Sequence, residues 1–270
     1  MKIEYFNNQN IDSFLIDLIH SCLDKTVSLK DNWVKNKEDG TPVTNLDLAL
    51  DNLIFDGLSS LKYKIPIVSE ERKHSEDVYK NQIYWIVDPL DGTRSYVNGK
   101  EEYTINIALI YNHLPIIGLI AHPPSKKVWY ARLNNLRIFT DRIEQDKAKI
   151  KNINNEFNII ISKENQTILN NYIELFKNRK IIKISSSLKF CKLAENHAYL
   201  YPRFSRISKW DIAAGHAILN AAGGKIYGLD KENLTYNNNG SRTQPFFAVS
   251  DIKYKKIIFD NYDKLMQSNS

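Results

Sequence analysis

Apolar residues recur every three to four positions over residues 11–23, where Ile11, Phe14, Leu15, Leu18, Ile19 and Cys22 share one helical face. This spacing predicts an amphipathic opening helix. Its polar side is mildly acidic, which leaves a membrane-surface helix as the minor alternative. A second helix is predicted from Leu46, with Leu46, Leu50, Leu53, Ile54 and Leu58 as its stripe and Asp47 off it. Short apolar runs predict strands at 65–68, 83–87, 103–110, 115–121 and 127–130, and the link from Tyr111 to Leu114 predicts a hairpin. Asp88 and Pro89 are expected to end the strand at 83–87. A charged, His-containing loop falls at 72–80. The charged, Asn-rich stretch 131–158 reads as a boundary or insertion. Past it come a strand at 159–161, a helix at 166–177, a strand at 181–184 and a short helix at 188–195. A small-residue helix at 211–222 is stopped by Gly223-Gly224. Strands at 225–227 and 246–249 and a solvated helix from 257 complete the pattern.

Composition narrows the classes. The chain has 270 residues, 43% of them hydrophobic, which is enough to bury a core and excludes disorder. Lys and Arg number 37 against 31 Asp and Glu, but only nine are Arg and the excess is scattered. That balance suits an anionic small substrate or simple solubility better than a nucleic-acid face. Cys22 and Cys191 cannot form a disulfide framework and are expected to be buried thiols in a reducing compartment. No apolar stretch is long enough to span a membrane and the N-terminus does not read as a signal peptide, so a cytoplasmic address is expected.

The chemistry concentrates in WIVDPLDGT, residues 85–93. A buried strand delivers Asp88 to its carboxyl end, Asp91 follows three residues later, and Gly92 permits a tight turn. Thr93 can then open a helix whose free N–H groups accept an anion. Two carboxylates this close repel each other unless a cation lies between them, and hard oxygen ligands suit Mg²⁺. The bent backbone could also turn the Leu90 carbonyl toward the ion. An Asp-capped turn that merely satisfies itself is the competing reading. Glu70 and Glu71 end another apolar strand and reach the same rim if the two strands are neighbours. Asp211 opens the late helix, where an N-cap would also explain it. Asp47 could equally be a surface acid. Carboxylates converging at one point would hold two or three Mg²⁺ ions, the usual clamp for phosphoryl transfer. No GxSxG, Walker A, GxGxxG, HExxH or paired CxxC is present, and no histidine has zinc spacing.

These motifs together, Glu70-Glu71, then WIVDPLDGT, then Trp210-Asp211-Ile212-Ala213-Ala214-Gly215, resemble the inositol monophosphatase superfamily of Mg²⁺-dependent, lithium-sensitive phosphatases. The stretches SEE (69–71), NIALI (106–110), SSLKFCKLAE (186–195) and LYPRFSRISKWDIAAGHAIL (200–219) are similar to its 3'(2'),5'-bisphosphate nucleotidase branch, called CysQ. The resemblance implies the layered α-β-α-β-α sugar-phosphatase fold, an α+β arrangement. An amino-terminal part over 1–135 would carry most metal ligands, and a carboxy-terminal part over 136–270 would carry Asp211 and the substrate-side wall. It implies metal ligation by Glu70, Asp88, the Leu90 carbonyl, Asp91 and Asp211, with Glu71 outside them. Thr93 and Asp47 would orient and deprotonate the attacking water, aided by Glu70. Gly92 and Thr93 would offer N–H groups to the phosphate, with Glu70 and Asp211 also facing the substrate.

The implied substrate is a small phosphate ester, adenosine 3',5'-bisphosphate, cleaved to AMP and phosphate, with inositol monophosphate or another sugar phosphate as the alternative. Lys189, Arg203 and Lys209 are candidates for the second phosphate, although Lys189 could equally be a surface residue. Relatives occur as monomers and homodimers, and some fractionate at the inner face of the cell membrane. Two departures touch the leaving-group side: Arg94-Ser95-Tyr96 where Lys-Glu-Phe is usual, and Ser162-Lys163-Glu164-Asn165 where a Ser-Arg-Ser-His-like stretch is usual. A non-catalytic anion or nucleic-acid binder is the remaining class. It has no need for Asp47, Glu70, Asp88, Asp91 and Asp211 together.

Overall fold

A computed structural model describes residues 9–29, 33–145, 156–163, 166–237 and 240–268. Its first layer is a pair of helices, α1 (Gln9–Ser28) and α2 (Asn45–Ser59), with the small hairpin β1 (Val34–Asn36) and β2 (Pro42–Thr44) between them. The next layer is a seven-stranded sheet of β3 (Ile67–Ser69), β4 (Ile83–Asp91), β5 (Thr104–Tyr111), β6 (Leu114–His122), β7 (Lys127–Arg132), β8 (Asn135–Thr140) and β9 (Ile143–Gln145), in that spatial order. Only β3 and β4 pair in parallel; the others run antiparallel. The short helix α3 (Thr93–Val97) leaves the end of β4.

The carboxy-terminal sheet holds β10 (Phe157–Ile161), β11 (Arg179–Lys183), β12 (Leu200–Arg203), β13 (Lys225–Gly228) and β14 (Phe246–Val249), ordered β11-β10-β12-β14-β13. Helices α5 (Leu188–Ala194) and α6 (Ala213–Ala221) are sandwiched between the two sheets, while α4 (Thr167–Glu174) and α7 (Lys255–Ser268) cover the outer face of the second. The result is the layered α-β-α-β-α order.

Burial on both sides explains why β4 reads as a continuous apolar run. Trp85 and Val87 pack toward α1 and α2, whereas Tyr84 and Ile86 pack toward α5 and α6. Small residues let α6 lie hard against the sheet. A Cβ on Gly118 of β6 would stand 2.5 Å from the Ala214 carbonyl oxygen, so only glycine admits that approach. This close seat fixes where α6 begins, and therefore where Asp211 stands.

Several local expectations change. The first part of the 131–158 stretch, expected as a boundary or insertion, instead continues the first sheet as β8 and β9 through Gln145. Residues 146–155 lie outside the described residues. The loop at 72–80 contains a 3₁₀ turn at Glu76–Lys80. The last helix is not solvated throughout; its Ile258, Phe259 and Leu265 pack on the second sheet. His20, within α1, is buried. Both cysteines are buried free thiols. The Asn112-His113 link of the β5–β6 hairpin takes positive φ at both residues, the geometry whose twist suits a two-residue turn.

Candidate active site

The site begins with an irregularity in β4. Asp88 pairs with Asn106 of β5 and Asp91 with Thr104, so Pro89 and Leu90 lie opposite the single residue Ile105. In a regular strand, residues three apart face opposite sides. The extra residue of this bulge brings Asp88 and Asp91 to one cleft. Pro89 does not end the strand, contrary to expectation. It occupies the bulge, where its missing N–H costs no ladder bond. Gly92 follows at φ +96°, and a Cβ there would stand 2.7 Å from the Glu102 carbonyl oxygen. Both the backbone conformation and the space require glycine.

Four further elements supply side chains. β3 lies parallel to β4 with Ser69 opposite Val87, so Glu70 arrives beside Asp88. Carboxylate oxygens of Glu70, Asp88 and Asp211 lie within 4.8 Å of one another. Asp91 lines the same cleft, a hollow of about 240 Å³ that also includes Leu90, Gly92, Thr93 and Arg94. Asp211 is not a helix cap: α6 starts at Ala213 with Ile212 as its cap residue and no side-chain cap bond. Asp47 is not a surface acid. It is 1% exposed and closes a capping box with Thr44 at the start of α2. Its Oδ2 accepts from the Thr44 N–H at 2.8 Å, and its Oδ1 lies 2.9 Å from the Thr93 hydroxyl. That hydroxyl is also 2.9 Å from the Leu90 carbonyl oxygen.

Charge in this cluster is poorly compensated. Burial pushes the Asp88 carboxyl well above its ordinary range, and the charges of Glu70, Asp91 and Asp211 push it further. Burial likewise raises Asp211, reinforced by Asp91 and Glu70 and partly opposed by Arg203 and Lys189. Glu70 is raised by burial, although Lys37 opposes this. The Lys37 ammonium is 2.8 Å from carboxylate oxygens of both Glu70 and Glu71. Glu71 is still pushed up to about 7 by burial. One cation therefore serves the outer edge of the cluster, while Asp88 accepts an N–H from Leu90 at 3.1 Å.

The donor set is four carboxylates and a backbone carbonyl, all hard oxygens with no thiolate or imidazole among them. It fits a Mg²⁺-type cation and not a zinc site. The Leu90 carbonyl keeps a second lone pair beside the one facing Thr93. Larger hollows beside His20 (about 410 Å³) and Arg206 (about 710 Å³) hold no such group of three among the described residues.

The loop entering α5 meets the cluster from another side. Ser187 Oγ is 2.7 Å from Asp91 Oδ2 and 2.7 Å from the Asp211 carbonyl oxygen, and it accepts from Asn106 Nδ2 at 2.8 Å. One hydroxyl thus joins β4, β5, α5 and the approach to α6. Lys189 is buried rather than exposed, with Nζ donating to the Ser186 carbonyl at 2.6 Å. Arg203 Nη1 donates to Ser162 Oγ at 3.1 Å. Lys209 is wholly buried over the Tyr79 ring. Glu164 and Asn165 lie outside the described residues. Lys37, Asn106 and Ser187 escaped the sequence reading. The NIALI and SSLKFC stretches carried a signal for Asn106 and Ser187, but it pointed to the segments rather than to the side chains.

The sequence profile of the inositol monophosphatase family matches residues 10–255. The chain is 41% identical over 208 residues to the 3'(2'),5'-bisphosphate nucleotidase CysQ of Buchnera aphidicola subsp. Acyrthosiphon pisum, covering 76% of this chain and 77% of that one. It is 35% identical over 218 residues to CysQ of Escherichia coli K12, covering 80% and 88%. The crystal structure of CysQ from Bacteroides thetaiotaomicron superposes with a TM-score of 0.73 at 28% identity, covering 84% of this chain and 92% of that one. Family profile, relatives and fold agree with the acidic cluster built above, and the chain belongs to the inositol monophosphatase family.

Proposed function

We propose that the chain is a Mg²⁺-dependent phosphomonoesterase that hydrolyses adenosine 3',5'-bisphosphate to AMP and phosphate. Glu70, Asp88, the Leu90 carbonyl, Asp91 and Asp211 would hold two or three cations. The observation that carries the reading is the meeting of Glu70, Asp88 and Asp211 within 4.8 Å beside the Thr93–Asp47 pair. Bound divalent cations supply positive charge to the phosphoryl oxygens and make a coordinated water more acidic.

The chain's own groups do the remaining work. Thr93 donates its hydroxyl hydrogen toward Asp47 Oδ1, which leaves its lone pairs able to accept a proton from the attacking water. Asp47 is the final acceptor, held in place by its cap bonds to Thr44, and Glu70 assists at the same water. Gly92 and Thr93 present backbone N–H groups to the phosphate. Water adds to phosphorus in line, the ester P–O bond breaks, and the leaving 3'-oxygen takes up a proton.

Lys189 and Arg203 support a doubly phosphorylated substrate. Both lie close enough for their charges to act on Asp211, Lys189 braced by the Ser186 carbonyl and Arg203 by the Ser162 hydroxyl. A second phosphate needs donors of this kind away from the cations. Among the described residues, no helix is long and apolar enough to cross a membrane. Side-by-side rates on adenosine 3',5'-bisphosphate and inositol 1-phosphate test the assignment. Faster hydrolysis of the nucleotide is expected, and faster hydrolysis of the inositol ester would overturn it.

A further inference from the structure

Beside the Ser187–Asp91 bond, a second tie joins the turn that carries Gly92 and Thr93 to the substrate-side wall, through Glu102. The Glu102 backbone packs directly under Gly92. Its Oε2 accepts from the Ser185 N–H at 2.8 Å and from Lys163 Nζ at 2.7 Å. Ser185 precedes Ser186, whose carbonyl holds Lys189, and Lys163 follows Ser162, whose hydroxyl holds Arg203. The three cations Lys163, Lys189 and Arg203 are thus knitted into one wall. They differ in how they are held. Lys189 is buried and braced by a backbone carbonyl, and Arg203 is braced by a serine. Lys163 is 42% exposed and rests on a carboxylate that is itself 30% exposed. A partly solvated pair of this kind is weak, because water screens it and the lysine stem is free to move. An incoming phosphate dianion competes well for such an ammonium.

We propose that Lys163 and Glu102 form an exchangeable ion pair at the lip of the cleft. In the free enzyme Lys163 rests on Glu102. A substrate bearing a second phosphate draws it away, so Lys163 favours doubly over singly phosphorylated esters and Glu102 competes against that selectivity. This inference rests on the nucleotidase reading above. It assigns Lys163 as a specificity determinant and Glu102 as a positioning residue that acts through Lys163 and Ser185.

The pair yields a signature that a structural brace cannot. If the ion pair merely held the fold, removing either partner would act in the same direction. If the lysine exchanges, the two substitutions act in opposite directions. The experiment measures kcat/KM for adenosine 3',5'-bisphosphate and for adenosine 3'-monophosphate, and takes their ratio, in wild type, Lys163→Met, Lys163→Arg and Glu102→Gln. Glutamine keeps an oxygen for the Ser185 N–H while removing the competing charge. We expect Lys163→Met to lower the ratio about tenfold, as loss of one charge-assisted hydrogen bond implies. We expect Glu102→Gln to raise it about two- to threefold, in line with the worth of an exposed pair. Lys163→Arg should hold the ratio near wild type, since the cation remains. Ratios that fall in both Lys163→Met and Glu102→Gln, or that move in neither, would overturn the exchange. A wild-type ratio at or below one would instead overturn the nucleotidase reading itself, whatever the variants do.

Discussion

Replacing Asp88 with Asn should stabilise the metal-stripped protein while removing its response to Mg²⁺. Asp88 is 1% exposed and accepts from the Leu90 N–H at 3.1 Å. Asparagine can keep that bond through its carbonyl oxygen while losing a charge that Glu70, Asp91 and Asp211 all oppose. Relief of an imperfectly paired buried group is worth about 1–3 kcal/mol. For a chain of this size each kcal/mol moves Tm by about 2–4 °C, so a rise of roughly 2–12 °C is expected in EDTA. With Mg²⁺ at a hundred times its dissociation constant, the wild type should recover about 2.7 kcal/mol that the variant does not. The two melting curves should therefore exchange order between EDTA and millimolar Mg²⁺. A pH series gives the sign independently. Because Asp88 is held above its unfolded value, the folded stripped protein keeps protons that the unfolded chain releases, and stability should rise as pH falls from neutral toward the ordinary carboxylate range. Asp88→Asn should flatten that slope. Thermal unfolding in EDTA that shows the variant less stable than wild type would refute the argument that the cluster is held against its own repulsion.

Ser187→Ala removes the hydroxyl that joins Asp91, Asn106 and the Asp211 carbonyl, and should raise the Mg²⁺ concentration for half-maximal activity by about 10–100-fold in a metal titration. Thr93→Val, which cannot relay a proton to Asp47, should lower kcat by about 10²–10⁴-fold, while calorimetric Mg²⁺ binding persists. Gly92→Ala places a methyl 2.7 Å from the Glu102 carbonyl at positive φ and should cost several kcal/mol in denaturant melts. Glu195 supplies a pH test away from the site. Burial opposes its charge, but His197 at 3.2 Å, Lys127 and the Trp129 N–H outweigh this and hold its carboxyl down at about 2. Its contribution is fully present above the unfolded value of about 4.3 and is lost as pH falls toward 2. Glu195→Gln should remove that part of the acid transition in a pH-melt series.

Much of this arrangement was legible because it is local. The continuous run before Asp88 required a strand buried on both faces, and Gly223-Gly224 marked the end of α6. The strand neighbours that join Glu70 to Asp88 were only a condition in the sequence, and the parallel β3–β4 pair fulfils it. What the pattern could not carry was non-local. Asp47 looks like a surface acid by stripe position, yet α3 arrives to cover it and takes its free oxygen. Pro89 looks like a strand end because the bulge that tolerates it depends on the register of β5. Lys37 has no motif of its own and the stretch holding Ser187 did not single out its hydroxyl, because the importance of both lies in which chain segments meet there. Strands β8 and β9 were missed because β8 mixes polar with apolar residues and β9, the edge strand, is three exposed residues with no apolar run.

The central claim is that the oxygens of Glu70, Asp88, Asp91 and Asp211 are held together for a divalent cation. Crystals soaked in Mn²⁺ and measured for anomalous scattering test this most directly. The account predicts strong anomalous peaks enclosed by those four carboxylates beside the Leu90 carbonyl. Mn²⁺ peaks elsewhere on the chain with none in this cluster would contradict it.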